Sequence, residues 1–372
     1  MKSALSIFEY GHRFVVEPSS TFLSDDERKQ IAELQPFGVM FRKRNFLSNA
    51  SYKDWLSAYR ELWAEIRSLI RNPHPLICID HEGGRVIRPP EPITRFPYAA
   101  CWAHRSAEVA HAMALELRSL GINCIFGPVV DIHSNPDNPV INQRAFGRTV
   151  DEVLQGAVPF VRACEAAGLL TCAKHFPGHG DTKSDSHFTL PVVDKNLDEL
   201  RRVELVPFQE MIRIGIPMVM TAHILYPQLD PGRPATLSTF FLESLLRGQL
   251  GFDGVVVADG LGMKAISSSL GDAEAITDGL RAGLDLFLMV GDNLSIADAL
   301  TLAEQMHASS RSVPKELLAR SGARIEKLRS RCAVYPVIEL SQEELSQHAA
   351  LAAELASGTP WGCFNLHLPG FE

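Results

Sequence analysis

The chain has 372 residues, 46% hydrophobic and 22% charged, with a net charge of −8 at pH 7. These values describe a soluble globular protein with enough chain for a large core. No basic stripe interleaved with aromatics is present, which sets aside nucleic acid and anionic membrane as partners.

The opening segment, MKSALSIFEYGHRF, is charged too early and too often for a secretory signal. No apolar run approaches the roughly 20 residues needed to span a bilayer. The seven cysteines, Cys78, Cys101, Cys124, Cys164, Cys172, Cys332 and Cys363, are scattered and never in CxxC spacing. Free thiols in a reducing compartment, the cytoplasm, are the expectation.

Short apolar runs bounded by turn signals recur along the chain. In order they are Phe14 to Val16, Gly38 to Phe41, Pro75 to Ile79, Cys124 to Phe126, Leu169 to Ala173, Met218 to Thr221, Gly254 to Ala258 and Leu286 to Met289. Between them lie stretches of helical periodicity, among them Tyr52 to Arg71, Ala107 to Leu120, Val153 to Ala167, Leu197 to Ile214 and Ser238 to Gln249. Buried strands alternating with helices predict a parallel α/β fold, and eight repeats make a closed (β/α)8 barrel the leading choice. A GxGxxG turn opening a helix is absent, which argues against a Rossmann domain. The expected organisation is one catalytic barrel over 1–335 and a C-terminal extension over 336–372 packed on it. That extension holds a helical stretch, Gln342 to Ala356, and an aromatic-rich end, Trp361 to Phe371.

Polar residues cluster where the strands end. Asp80-His81-Glu82-Gly83-Gly84-Arg85 follows the third run, with Arg88 beyond it. Asp131 and then Asn142 to Gly147, including Arg144, follow the fourth. After the fifth comes KHFPGHGDTKSDSHFTLP, Lys174 to Pro191, with three His and two Asp. The sixth ends in Ala222-His223 and the seventh in Asp259. Parallel barrel strands present their C-terminal ends on one face, so these groups should converge there, with nothing comparable at the N-terminal ends.

For several of them the expectation is structural. Glu82 reads as a helix cap or a partner for Arg85, and Gly83-Gly84 as a tight turn with positive φ. Asp131 is open between structure and function, and His223 between a core histidine and a ligand-positioning one. Arg144 and Lys174 are cations just past buried strands and need an anion or hydroxyl-rich ligand to offset their desolvation. His175 and His179 are four apart, but Pro177 and Gly178 intervene, so a helical metal site is not expected. The GxSxG elbow of a serine nucleophile is missing.

Two features point to chemistry. In Asp185-Ser186-His187 a carboxylate can orient an imidazole and hold its pKa near neutrality, as proton transfer requires. Asp259 closes a run of three valines, with its side chain projecting at the barrel mouth. A carboxylate there can attack a carbon that develops positive charge.

These motifs together resemble the family 3 glycoside hydrolases, specifically the bacterial β-N-acetylhexosaminidases that act on peptidoglycan fragments. Asp80 to Val86 looks like the family's IDQEGGRV, and Asn142 to Gly147 like its Arg-Ser/Ala-Phe-Gly box. Lys174 to Gly180 with Asp185-Ser186-His187 matches KHFPGHG…DSH. Met220 to His223 and then Gly251 to Val255 with Asp259 continue in family order, so the resemblance runs from about Phe37 to Met289.

The resemblance implies a retaining double displacement with Asp259 as nucleophile and His187, backed by Asp185, as acid and then base. It implies sugar binding by Asp80, Arg88, Arg144, Lys174 and His175, with His223 beside them. The implied substrate is a small carbohydrate of the N-acetylglucosaminyl-anhydromuramyl peptide type, with no cofactor or metal, acted on by a monomer or weak dimer. Phosphorolysis of the same linkage and β-glucosidase activity are the alternatives. His81 stands where the family has Gln, and Ala258 and Gly260 flank the nucleophile where polar residues are frequent. One barrel without a second α/β domain points to the hexosaminidase subgroup.

Overall fold

The computed structural model describes residues 10–183, 190–261, 273–309, 313–332 and 338–357. Its strands are β1 Phe14–Val16, β2 Gly38–Phe41, β3 Leu76–Ile79, β4 Cys124–Ile125, β5 Leu170–Phe176, β6 Met218–Thr221, β7 Val255–Ala258 and β8 Phe287–Met289. All pair in parallel, in the order β7-β6-β5-β4-β3-β2-β1-β8. Val257 and Leu286 bridge in parallel, and Ala258 N donates to Leu286 O at 2.9 Å. That contact joins β7 to β8 and completes the expected (β/α)8 barrel.

The strands are short apolar runs because both of their faces are covered. Alternate residues split between two cores. Val15, Cys78, Cys172, Met220 and Val257 fill the barrel interior. Val16, Ile79, Ala173, Val219 and Val256 face outward against the helices. The interior is sealed from below by Ile325, Leu328 and Cys332, from or just after the helix Lys315–Arg331.

Helix starts follow local signals. Ser24, Thr149 and Asn196 each form a capping box with the Glu three residues on, opening the helices Asp25–Leu34, Val150–Ala166 and Leu197–Arg202. The single helix expected over Leu197 to Ile214 is two, Leu197–Arg202 and Leu205–Arg213. Val203 leaves the helical region (φ −130°, ψ −79°). The neighbouring Glu204 side chain is drawn back to Lys195 Nζ at 2.5 Å.

Two expectations need correcting. The N-terminal end of the barrel is not free of charge: fully buried Asp285 accepts from Arg247 Nη2 at 2.8 Å, Arg324 Nη2 at 2.9 Å and Val256 N at 2.9 Å. A carboxylate this enclosed needs such partners, and on this face the role reads as stability. The cysteines also differ. Cys78, Cys124, Cys164, Cys172 and Cys332 are free and buried, but Cys101 is disulfide-bonded, its partner lying outside the described residues.

Beyond the barrel, the helix Gln342–Ser357 lies against the helices Ala99–Trp102 and Ser106–Ser119, burying Leu345, Ala352 and Leu355. Arg105 pairs with Glu354 at 2.8 Å. His348 Nδ1 lies 2.8 Å from Glu116 Oε1, a buried carboxylate that also accepts from Thr94 N and Oγ1. The aromatic-rich end falls outside the described residues. Among the described residues, no helix is long and apolar enough to cross a membrane.

Candidate active site at the barrel mouth

β3 runs directly into Asp80, His81 and Glu82, and Gly83 and Gly84 then turn the chain at φ 90° and 58°. A β-carbon would lie 2.3 Å from Pro97 O at Gly83 and 2.2 Å from the Tyr98 ring at Gly84. Only glycine fits both the conformation and the space, as the sequence led one to expect.

The turn holds two carboxylates against cations from segments distant in sequence. Lys174 Nζ lies 2.8 Å from Asp80 Oδ1 and 2.6 Å from Glu82 Oε1. Arg144, at the end of the 3-10 turn Asn142–Arg144, adds a bidentate pair to Glu82, Nε to Oε2 at 2.7 Å and Nη2 to Oε1 at 2.9 Å. Arg88 Nη2 reaches Asp80 Oδ2 at 3.5 Å. A chain of charges, Arg88–Asp80–Lys174–Glu82–Arg144, therefore spans the mouth.

Glu82 is a correction. It does not cap a helix or serve Arg85, which is exposed and donates to Val140 O at 3.0 Å. Its partners are 62 and 92 residues away, and no local pattern in the sequence signals them.

The electrostatics follow from enclosure. Burial alone would raise the Glu82 carboxyl, but Arg144 and Lys174 outweigh it and hold the group well below the usual range. Burial also opposes ionisation of Asp80, yet Lys174 and Arg88 keep it low. Burial would lower Lys174, and Asp80 and Glu82 raise it instead. All three are thus charged at neutral pH, with directed N–H donors and carboxylate acceptors.

His175 is placed by the sheet. β5 was expected to stop at Ala173 and instead continues to Phe176, with Lys174 N donating to Pro128 O and Val130 N to Lys174 O. Its register against β6 shifts between Lys174 and Phe176, the kind of irregularity that re-aims a side chain. His175 Nδ1 then lies 2.7 Å from Asp131 Oδ2. Asp131 Oδ1 also accepts from His179 N at 2.7 Å, so this carboxylate anchors the start of the following loop as well.

The other histidines differ in setting. His179 is buried, with Nδ1 2.9 Å from Thr182 Oγ1, and burial with nearby His175 lowers it to about 4. His223 is fully buried, with Nδ1 2.9 Å from Thr236 Oγ1, whose hydroxyl donates to Ala222 O. His81 is fully buried, and among the described residues neither ring nitrogen has a hydrogen-bond partner. Burial takes it to about 4 against the opposing charge of Glu116. Among the described residues, no group of three or more His, Cys, Asp or Glu is placed to hold a metal ion.

Asp259 follows β7 at the mouth and is partly buried, its Oδ1 accepting from Gly260 N at 2.7 Å. Burial pushes the Cys172 thiol up, and it also feels the charges of Lys174, Asp80 and Asp259. In register, Lys174 on β5 pairs with Met220 on β6 and Met220 with Val257 on β7, so Asp259, two residues on, lies at the same end of the barrel. Asp185 and His187 lie outside the described residues. The structure thus gathers Asp80, Arg88, Arg144, Lys174 and His175 at the mouth with Asp259. It adds Glu82 and Asp131, which the sequence had left as structural or undecided.

Comparison with known proteins gives this barrel a family. Residues 16–328 match the glycosyl hydrolase family 3 N terminal domain, and the chain belongs to that family of glycoside hydrolases. A Beta-hexosaminidase A from Pseudoalteromonas piscicida is 40% identical over 281 residues, covering 68% of this chain and 47% of that protein. The chain thus spans about half the length of that relative. A Beta-hexosaminidase from Methylococcus capsulatus is 36% identical over 314 residues, covering 82% of this chain and 90% of that protein. A solved family 3 beta-N-acetylglucosaminidase from Paenibacillus superposes with a TM-score of 0.83 at 36% identity, covering 95% of this chain and 68% of that one.

Proposed function

We propose that this protein is a retaining exo-β-N-acetylglucosaminidase that removes a terminal β-linked N-acetylglucosamine, with muropeptides as natural substrates. The observation that carries the reading is the buried chain of ion pairs Arg88–Asp80–Lys174–Glu82–Arg144 at the same mouth as Asp259. Such an array offers fixed donors and acceptors to sugar hydroxyls and an N-acetyl carbonyl, and a solvated carboxylate close by for attack. The names of the similar proteins agree with that substrate class.

In the first step Asp259 attacks the anomeric carbon and the glycosidic bond breaks, while His187 gives its proton to the leaving oxygen. In the second, His187 takes a proton from water, which displaces Asp259 and releases the sugar with its configuration retained. Asp185 stabilises the imidazolium. Asp80, Arg88, Arg144, Lys174, His175 and His223 hold the sugar.

The deciding experiment compares an aryl β-N-acetylglucosaminide with the aryl β-glucoside. Preference for the glucoside would remove the N-acetyl assignment. N-acetylglucosamine 1-phosphate as product in phosphate buffer would replace hydrolysis by phosphorolysis. We place the protein in the cytoplasm, which the five buried free thiols support. The disulfide at Cys101 supports an oxidising compartment instead, and cell fractionation distinguishes the two.

A further inference from the structure

We propose that Asp131 is a positioning residue of the sugar site, holding the His175 ring with its proton on Nδ1 so that Nε2 is presented to bound substrate as an acceptor. The inference rests on the sugar-binding reading of the mouth given above.

Asp131 is fully enclosed, with its side chain at 0% exposure. An ionised carboxylate only accepts hydrogen bonds, so the nitrogen 2.7 Å from Oδ2 must be the donor, and the His175 proton sits on Nδ1. Burial would raise the Asp131 carboxyl, but His175 and then the backbone of His179 outweigh it and keep the group ionised at neutral pH.

Three further contacts fix the carboxylate itself: His179 N at 2.7 Å to Oδ1, and His175 N at 3.3 Å from each oxygen. It therefore cannot swing to follow the ring; the ring must follow it. Among the described residues the other imidazole in reach is His179, edge-on at 5.8 Å between ring centroids. It bonds Thr182 and does not compete for Asp131 through its ring. A role confined to the loop would need only the backbone amides. The bond to Nδ1 serves a side chain next in sequence to Lys174, whose ammonium is already part of the charge array.

The test is a double-mutant cycle of Asp131→Asn and His175→Ala on an activated aryl β-N-acetylglucosaminide, with melting temperatures recorded throughout. Asn can offer its amide N–H to Nδ1, which forces the opposite tautomer. D131N alone should lower kcat/KM about 100-fold, the upper range for loss of a residue that orients a functional histidine. In the H175A background it should cost less than about threefold, because the residue it acts through is gone. Equal losses in both backgrounds would overturn the proposal and leave Asp131 as a loop anchor.

Nitrogen-15 NMR of His175 in the unmodified protein gives an arm independent of variant folding. A protonated Nδ1 with unprotonated Nε2 supports the proposal, and the reverse overturns it. Absence of wild-type turnover on the substrate would sink the sugar reading, while the NMR arm would still decide the tautomer.

Discussion

Glu82 grips Arg144 with both carboxylate oxygens, at 2.7 and 2.9 Å, and the same carboxylate takes Lys174 Nζ at 2.6 Å. One side chain thus sets the position of two cations, one from β5 and one from the 3-10 turn Asn142–Arg144. Replacing it would leave buried Arg144 without its carboxylate and Lys174 with Asp80 alone, so the two neighbouring cations would be undercompensated.

Glu82→Gln should therefore lose both stability and activity. Removing one partner of a buried pair costs about 3 kcal/mol or more, read from denaturant melts. With Arg144 and Lys174 displaced, kcat/KM should fall by about 100-fold. A variant as active and as stable as wild type would show that the two cations are held by other means.

Asp259→Ala should reduce turnover of an aryl β-N-acetylglucosaminide by roughly 10,000-fold or more while leaving the melting temperature nearly unchanged. Its side chain is only partly buried at the mouth, so truncation leaves no enclosed cavity. Retained turnover would remove it as the nucleophile.

His187→Ala should discriminate between leaving groups. An alkyl glycoside, which needs its oxygen protonated, should lose about 100-fold or more, whereas an activated phenol should lose roughly tenfold or less. Equal losses on the two substrates would argue against proton donation by this residue.

Acid should destabilise the fold in two stages. His81 and His179 are each lowered to about 4 by burial. Below pH 6.5 the unfolded chain takes up protons at these positions that the folded one refuses, so stability falls as pH drops from there towards 4. Asp80, Glu82 and Asp131 are depressed carboxyls, whose contribution is present above the ordinary carboxyl range and is lost as pH falls through their lower folded values.

His81→Gln isolates one of these terms. It should recover about 2 kcal/mol at pH 5 relative to pH 7.5, from the linkage between 6.5 and about 4. Chemical denaturation at the two pH values measures it, and an unchanged pH dependence would exclude His81 as a source of acid sensitivity.

The barrel was legible because each strand is an apolar run cut off by a turn signal, so Phe14–Val16, Gly38–Phe41 and Met218–Thr221 fall where the sequence puts them. β5 was cut short because Lys174 and His175 are polar and break the apolar pattern, although the sheet's hydrogen bonds continue through them. Lys174 and Arg144 stood out because a cation beside a buried strand demands a partner. Their partner did not, because Arg85 offered Glu82 a nearer one in sequence. Asp131 stayed undecided because its four contacts all come from a segment more than 40 residues later, brought beside it by the parallel pairing of β4 with β5 and not by local spacing.

That continuation of β5 bears on how the site fails. Lys174 N donates to Pro128 O, Val130 N to Lys174 O and Ala222 N to Phe176 O, so this stretch is stitched to neighbours on both sides. Its amides can exchange with solvent only when adjoining staves of the barrel part. Lys174 and His175 are thus protected by the whole molecule's stability and not by that of a surface loop. Mild denaturant below the main transition should spare the grip on the ligand, and recognition should be lost only when the barrel itself opens.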